Sequence, residues 1–231
     1  MLNLIKLEIR RMNSGSVLLN FMLINVGIIG ILLLLGLDSE AATEFLASPE
    51  DVMRLIELLV VAAFVINASV LLSNLIIEEF KNKTILVLFM YPINRKKLLL
   101  AKVLVISMLT FLFVIMSEII VFSSFSAINN MYAPITVPLP TDLLADKIIH
   151  LIVTAVACAG MSLIPLFFGM IKYSVPATIT SSILIIAILS SSFESGIGAN
   201  LFSYTIIPIM LGIIGFVVAN LVISRVVKRD F

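Results

Sequence analysis

The chain carries few side chains that could act as nucleophiles, metal ligands or general acids and bases. It contains one cysteine, Cys158, and one histidine, His150, so it offers neither an internal disulfide nor the ligands of a zinc cluster. The phosphate-binding pattern G-x-x-x-x-G-K-[ST] does not occur in the sequence. We therefore expect no catalytic centre, no metal and no bound cofactor on this chain, and its charged residues become the main guide to function.

The most informative charges lie in one segment, EEFKNKTILVLFMYPINRKKLLLAK (78–102), between two apolar runs. Glu78 and Glu79 open this segment, and a basic cluster follows Pro92. The apolar positions between them share one face of a helix, at i, i+3 and i+4 spacing: Ile85, Leu88 and Phe89. A helix of eight residues would be only about 12 Å long, too short to cross a bilayer. We expect a short helix, ended by Pro92, whose apolar face is covered by another protein or by lipid.

The composition excludes a soluble globular domain. Hydrophobic residues make up 61% of the chain, charged residues 13%, and the mean hydropathy is +1.22; soluble domains carry about twice that charge. The apolar runs lack the alternation of a barrel strand, and helices are the other structure that satisfies its backbone in lipid. The runs are 17–37, 55–77, 103–125, 148–171, 175–191 and 204–223. The sequence therefore predicts an all-α polytopic membrane protein, one domain (1–231) with six transmembrane helices.

The lysines and arginines lie almost entirely on one side of these six spans. Of the 15, two (Arg54 and Lys147) fall on one side, and the other 13 fall on the side that holds both termini. Such an excess marks the cytoplasmic side, so we predict cytoplasmic termini. The same assignment makes 78–97 a cytoplasmic loop and 126–147 an extracellular loop.

Three local patterns add detail to this topology. Residues 1–14 place Leu4, Ile5, Ile9 and Met12 on one helical face and the charged side chains, Glu8 among them, mostly off it. This pattern is typical of an amphipathic helix in the membrane interface; a charged leader that only orients the first span is the alternative. The order Ser-Pro-Glu-Asp at 48–51 predicts a helix start. The fourth and fifth spans are separated only by 172–174, which predicts a tight helical hairpin.

The segment 78–102 resembles the cytoplasmic loop of ABC transporter permeases of the type-2 exporter family. The family's pattern has acidic residues, Gly-Thr, an apolar helix, Pro, Arg and a Gly-Lys pair that leads into the third span. The matching positions here are Thr84, Pro92, Arg95 and Lys102, preceded by Glu78 and Glu79. Lys83 and Ala101 stand where the pattern has glycines. Six spans, cytoplasmic termini and an amphipathic first helix are also similar, so the resemblance covers nearly the whole chain.

The resemblance implies that 78–97 is a coupling segment docked on a separate ATP-binding subunit, present in two copies that carry ATP and Mg²⁺. The apolar face would be the docking surface, with Glu78, Glu79 and Arg95 as its polar rim. A second permease subunit, identical or related, would complete a transporter in the bacterial cytoplasmic membrane. The implied substrate is a hydrophobic or amphipathic peptide, with lipid, polysaccharide or drug as alternatives. No nucleic-acid partner is expected.

Other classes of membrane protein fit the residues less well. Glu78-Glu79 with Lys83 faintly resembles the Glu-Glu-x-x-x-Arg pattern of intramembrane prenyl-protein proteases. Those enzymes need histidines beside the glutamates, whereas His150 is predicted at the opposite face. A membrane scaffold or an ion-coupled carrier stays open, although the sequence contains no internal repeat of the kind common in carriers.

Polar residues inside the spans form a candidate substrate path. Glu118 lies well inside the third span, where a charge costs roughly 2.5–3.5 kcal/mol on insertion scales. One interpretation is functional: Glu118 binds a cationic substrate or forms part of a gate. The other is structural: Glu118 is protonated or paired with another residue of the bundle. Asn67 and Asn74 share a face of the second span, and Thr178 and Ser181 share a face of the fifth. In the resembling family these two spans line the pathway, but hydrogen bonding between helices is the plainer explanation.

Overall fold

The computed structural model describes the main chain of residues 2–12, 14–38, 45–46, 48–84, 95–132, 148–190 and 206–228. No strand occurs in these ranges, so the all-α prediction is confirmed for them. The helices are α1 (Leu2–Arg11), α2 (Ser14–Leu37), α3 (Pro49–Leu72), α4 (Glu78–Lys81), α5 (Arg95–Tyr132), α6 (Ile148–Met161), α7 (Pro165–Lys172), α8 (Val175–Ser190) and α9 (Ile206–Lys228). A π-helical turn, Ser73–Ile77, joins α3 to α4 without a break.

Four helical stretches are long and apolar enough to cross a membrane: Gly15–Leu37, Pro49–Lys81, Lys96–Asn129 and Ile148–Ile171. Two shorter apolar stretches, Val175–Ser190 and Ile209–Arg225, accompany them. These lengths support a multi-pass membrane protein. At 38 residues, α5 spans about 57 Å, nearly twice the hydrocarbon thickness of about 30 Å, so it extends well beyond the bilayer core.

Both predicted loops begin or end inside helices. The predicted extracellular loop 126–147 starts within α5, which continues to Tyr132. At the other loop, α4 continues the second span, and Arg95 already belongs to α5. Hydropathy finds the apolar core of a span but not the polar turns that extend it, because a helix can continue into water wherever its backbone bonds remain satisfied. Residues 85–94 and 133–147 of these loops, including Ile85, Leu88, Phe89 and Pro92, lie outside the described residues.

The predicted helix start at 48–51 is confirmed in detail. Ser48 has an extended backbone, and its Oγ accepts a hydrogen bond of 3.2 Å from the Asp51 amide. The Ser48 hydroxyl also donates to Asp51 Oδ2 over 2.6 Å. Pro49 occupies the first helical position, where its missing N–H has no cost. This cap fixes the first turn of α3.

The tight hairpin predicted at 172–174 is also confirmed. Helix α7 ends at Lys172, and α8 begins at Val175. Between them Tyr173 adopts a left-handed conformation, with φ of 48°. The Tyr173 ring stacks on Phe80 of α4, with ring centroids 5.6 Å apart. The hairpin therefore lies against the first part of the coupling segment.

One end of the bundle gathers segments that are far apart in sequence. Phe80 belongs to a buried apolar cluster with Leu99 of α5, Met170 of α7 and Val222 of α9. Helix α4, the hairpin between α7 and α8 and the carboxyl-terminal part of α9 therefore lie at the same end of the bundle. A larger cluster from α2, α3, α5, α6 and α8 forms the core of the rest of the bundle.

Helices α6 and α9 pack with their backbones close together. A Cβ atom added to Gly160 would overlap the backbone of Gly212, and one added to Gly215 would overlap the carbonyl of Gly160. The two backbones are thus in direct contact, as small residues allow in membrane helices. Gly27 of α2, by contrast, has nothing within 4 Å of an added Cβ atom.

Candidate functional site: a buried charge cluster joining three helices

Four charged side chains from three helices meet at the coupling-segment end of the bundle. We call Glu8, Arg11, Glu79 and Lys102 the charge cluster. Lys102 Nζ lies 2.6 Å from Glu79 Oε2 and 3.7 Å from Glu8 Oε1. The same ammonium donates a hydrogen bond of 2.9 Å to the carbonyl oxygen of Leu75, inside the π-helical turn. Lys102 is completely buried, at 0% exposure.

Glu79 is the centre of the cluster because it pairs with two cations. Besides Lys102, it contacts Arg11, whose Nη1 lies 2.8 Å from Glu79 Oε1. Glu79 is buried, while the Arg11 side chain is 53% exposed. Each of these pairs joins different elements: α4 to α5, and α4 to α1. A buried charge that loses its partner typically costs 3–5 kcal/mol, so these contacts hold the three elements in one arrangement.

The local sequence explains how each charge reaches the cluster. Glu8 and Arg11 are three residues apart in α1 and therefore share a face. Glu78 and Glu79 are adjacent, so only one of them can point inward at a time; Glu78 is exposed and Glu79 is buried. The π-helical turn decides between them, because it shifts the angular position of every later residue.

Helix α4 ends directly after the cluster. The Asn82 amide donates to Glu78 O over 2.9 Å, and the Thr84 hydroxyl donates to Glu79 O over 3.3 Å. Between them Lys83 has φ of 59°, in the left-handed region that favours glycine. The chain thus leaves the helix at Lys83 and enters the part of the coupling segment that lies outside the described residues.

Two residues of the predicted ATPase-coupling pattern, the rim residue Glu79 and Lys102, lie inside the protein. Glu79 and Lys102 are buried in the charge cluster, so any part they play in docking has to be indirect. Glu78 is exposed, as a rim residue would be, and Thr84 is exposed as well. Arg95 opens α5.

Helix α1 is oriented differently from the simple amphipathic prediction. Leu4, Ile5 and Met12 are half-buried, but Ile9 is exposed. The acid Glu8, predicted to point away from the apolar face, is buried at 6% exposure because Lys102 lies opposite it. The pair Glu8–Lys102 was missed from the sequence, although a lone acid in a basic helix was a signal that could have suggested it.

A second set of polar side chains, from α3, α5 and α6, lies toward the other end of the bundle. The Thr154 hydroxyl donates a hydrogen bond of 2.7 Å to Glu57 Oε1, and His150 Nδ1 lies 3.5 Å from the same oxygen. Glu118 is buried at 8% exposure, and its Oε1 has no hydrogen-bond partner within the part of the chain that the structure describes. The contacts of Glu57 were not predicted from the sequence.

The other residues of the predicted substrate path have local partners. Thr178 and Ser181 are buried, and their hydroxyls donate to carbonyls of Ser174 and Thr178. The next residue, Ser182, bridges α8 to α3 through a 3.0 Å hydrogen bond to Ser69 Oγ. This arrangement fits the plainer explanation, hydrogen bonding within and between helices.

The two asparagines of that path differ in exposure. Asn67 in α3 is half-buried, and Asn74 in the π-helical turn is exposed. Neither asparagine is as deeply buried as Thr178 or Ser181. Asn74 belongs instead to the turn that carries the Leu75 carbonyl bound by Lys102.

Charge pairing between helices is the main chemical feature of the charge cluster. Among them, no three histidine, cysteine, aspartate or glutamate side chains lie close enough to hold a metal ion. Cys158 is fully buried, where a thiol is inert. The charge cluster can fix the relative positions of α1, α4 and α5, and it can respond when one of them is moved.

Comparisons with known proteins give one full-length relative. No protein-family model and no solved structure matches the chain. The uncharacterized protein YcbO of Bacillus subtilis (strain 168) is 36% identical over 231 residues, an alignment that covers 99% of this chain and 100% of the relative. The chain therefore belongs to the same protein family as YcbO.

Proposed function

We propose that this chain is the transmembrane subunit of an ATP-binding-cassette exporter. It moves a hydrophobic or amphipathic substrate, a peptide in the first place, out of the cell with energy from a separate ATP-binding subunit. The observation that carries the proposal is the charge cluster, which ties α1 and α5 to the helix from which the coupling segment emerges.

This arrangement supports the transmission of force from the coupling segment to the membrane helices. A partner that pulls on residues 85–94 moves Lys83 and then α4, because helix and turn are continuous. Glu79 in α4 is held by Lys102 and Arg11, so α4 moves α5 and α1 with it. The large membrane helices would then respond to events at a short peripheral segment, as a transporter driven by a separate ATPase requires.

The conformation of Lys83 gives independent support. The pattern of type-2 exporters has glycine before the threonine, and Lys83 occupies that place. With φ of 59°, the backbone here adopts the conformation that glycine takes without strain. A backbone conformation that favours glycine, at the position where the family's pattern has glycine, supports the proposal.

The remaining features of the proposal follow from the topology. The four long stretches and the shorter helices α8 and α9 are taken as six spans, with both termini and the coupling segment in the cytoplasm of a bacterial cell. The basic residues at that end then meet the positive-inside rule. Two ATP-binding subunits and a second permease, identical or related, complete the transporter.

Co-purification tests the proposal. The chain is captured in mild detergent from its native cell, and bound proteins are identified by peptide mass spectrometry. We expect a protein with a G-x-x-x-x-G-K-[ST] sequence. Leu88→Asp should abolish its recovery, because the charge falls on the predicted docking face. Val87→Asp is the matched control, because it places the same charge off that face. The ATP-binding protein should still be recovered with this variant.

Two results would contradict the proposal. Recovery of no ATP-binding protein with the unaltered chain is the first. The second is a photo-cross-linker at Phe89 that captures only phospholipid, since the segment would then rest on the membrane surface.

A further inference from the structure

The π-helical turn Ser73–Ile77 interrupts a helix that is otherwise α-helical from Pro49 to Lys81. Its defining bond runs from the Glu78 amide to the carbonyl of Ser73, five residues back. Such a turn contains one residue more than an α-helical turn and is frequent at functional sites. The extra residue shifts each later side chain by one position, about 100° around the helix axis.

The present position of the extra residue determines which side chains of α4 point inward. Glu79 faces Lys102 and Phe80 stacks on Tyr173, and both are buried. Their neighbours Glu78 and Lys81 are exposed. If the extra residue moved out of the turn toward Lys83, each residue would take the place that its successor now holds. Glu78 would then occupy the place of Glu79.

The two consecutive acids make both arrangements possible for the buried lysine. In the present register Lys102 pairs with Glu79, and in the shifted register it pairs with Glu78. A buried ammonium without a carboxylate would be costly, but neither register leaves one. The chain therefore has a carboxylate for Lys102 before and after a rotation of one residue.

We propose that the π-helical turn is a register switch, in which α4 rotates by one residue and Lys102 exchanges Glu79 for Glu78. The bond from Lys102 Nζ to the Leu75 carbonyl inside the turn and the Arg11–Glu79 pair hold the present register at rest. The shift moves Phe80 to the exposed place of Lys81 and Glu79 to the buried place of Phe80, and both changes oppose it. A pull on the coupling segment supplies the free energy that the shifted register requires. This source of force is the only part of the inference that rests on the proposed function.

Cysteine labelling of the full chain in permeabilised membrane vesicles tests the switch without any partner. Cys158→Ala provides the background. Ile77→Cys is the reporter, because Ile77 is buried now and would move to the exposed place of Glu78. Ile76→Cys is the control, because it would move only to the buried place of Ile77. Local unfolding of the turn would expose both cysteines, whereas the register shift exposes one.

Glu79→Gln is the variant that favours the shifted register, since Glu78 then becomes the better partner of Lys102. We expect a water-soluble maleimide to react with Ile77→Cys about tenfold faster or more in this variant, as for a site that opens locally, with Ile76→Cys unchanged. Glu78→Gln is the matched control and should leave both rates unchanged. The proposal is overturned if Glu79→Gln raises the labelling rate equally at both cysteines, or if it raises the rate at neither.

Deletion of Asn74 gives a second test that does not depend on an altered charge. Asn74 is an exposed residue of the turn, and its removal leaves a continuous α-helix in which Glu79 still faces Lys102. The deletion should keep Ile77→Cys protected and cancel the effect of Glu79→Gln. If Glu79→Gln still made Ile77→Cys react faster in the protein that lacks Asn74, this result would contradict the switch.

The labelling results separate the switch from the proposed function. If the labelling pattern is found and no ATP-binding protein co-purifies, the exporter proposal fails and the switch stands. If the partner is found and labelling does not respond, the switch fails and the exporter proposal stands.

Discussion

Lys102 Nζ lies 2.6 Å from Glu79 Oε2, and no part of the lysine is exposed. The two residues belong to helices that enter and leave the coupling segment, so their contact closes the base of that segment. A surface ion pair contributes about 0–1 kcal/mol, but this one is desolvated, and its partners cannot separate without leaving a charge in an apolar bundle. Its value is the fixed geometry it imposes on α4 and α5.

Lys102→Met should lower stability by about 3–5 kcal/mol, because Glu79 and Glu8 remain buried without the ammonium. The measurement is the midpoint of thermal unfolding in detergent, followed by circular dichroism. Lys97→Met, an exposed position five residues earlier, is the control and should have little effect. The double variant Lys102→Met with Glu79→Gln should recover part of the loss. Equal stability of the three variants would contradict a structural charge cluster.

The contact between α6 and α9 gives a second prediction. Gly160→Ala should destabilise the protein by about 1–3 kcal/mol, because the new methyl group overlaps the Gly212 backbone and forces the helices apart. Gly27→Ala adds the same methyl group where nothing lies within 4 Å. It should leave the unfolding midpoint unchanged or raise it slightly, since alanine is the better helix former. A similar loss of stability in both variants would show that the effect comes from the change in helix propensity and not from the contact between α6 and α9.

The backbone of Lys83 leads to a prediction of increased stability. Lys83→Gly should raise the free energy of unfolding by about 1 kcal/mol, because the left-handed conformation costs roughly 1–2 kcal/mol for residues with a Cβ atom. Lys81→Gly is the matched control. It removes the same side chain from helix α4 two residues earlier and should cost about 1 kcal/mol instead. Loss of stability in Lys83→Gly would mean that the lysine side chain itself is needed there.

Features that depend on local spacing were predictable from the sequence, and features that depend on helix rotation were not. Ser48, Pro49 and Asp51 form the predicted cap because a capping pattern acts within four residues. The contacts Glu8–Lys102 and Glu57–Thr154 join positions far apart in the chain, and small rotations of apolar helices decide them. Hydropathy does not fix such rotations when nearly every face is apolar.

The π-helical turn is the clearest example of this limit. A sequence does not reveal where a helix accommodates one extra residue, yet that residue decides whether Glu78 or Glu79 is buried. The concentration of charge in 78–102 was visible in the sequence, while the burial of Glu79 and Lys102 was not foreseen. These two residues lie near opposite ends of the segment, and their spacing gives no sign that they pair with each other.

The last prediction concerns Glu118, whose buried Oε1 has no hydrogen-bond partner among the described residues. Glu118→Gln keeps the shape of the side chain and removes its charge. It should not lower the unfolding midpoint, because burying an amide costs less than burying a carboxylate. If Glu118 lines the proposed substrate path, this variant should reduce transport of a cationic peptide relative to a neutral peptide of equal length.

Ser117→Ala is the control for this effect. The Ser117 hydroxyl donates a 2.7 Å hydrogen bond to Asn25 Oδ1 and thereby joins α5 to α2. Its loss should cost about 1 kcal/mol of stability without changing the ratio of cationic to neutral transport, because no charge is removed. An unchanged ratio in Glu118→Gln as well would exclude Glu118 from substrate recognition. A changed ratio in Glu118→Gln alone would assign the buried carboxylate to the path, since the two residues are neighbours on one helix and differ in charge.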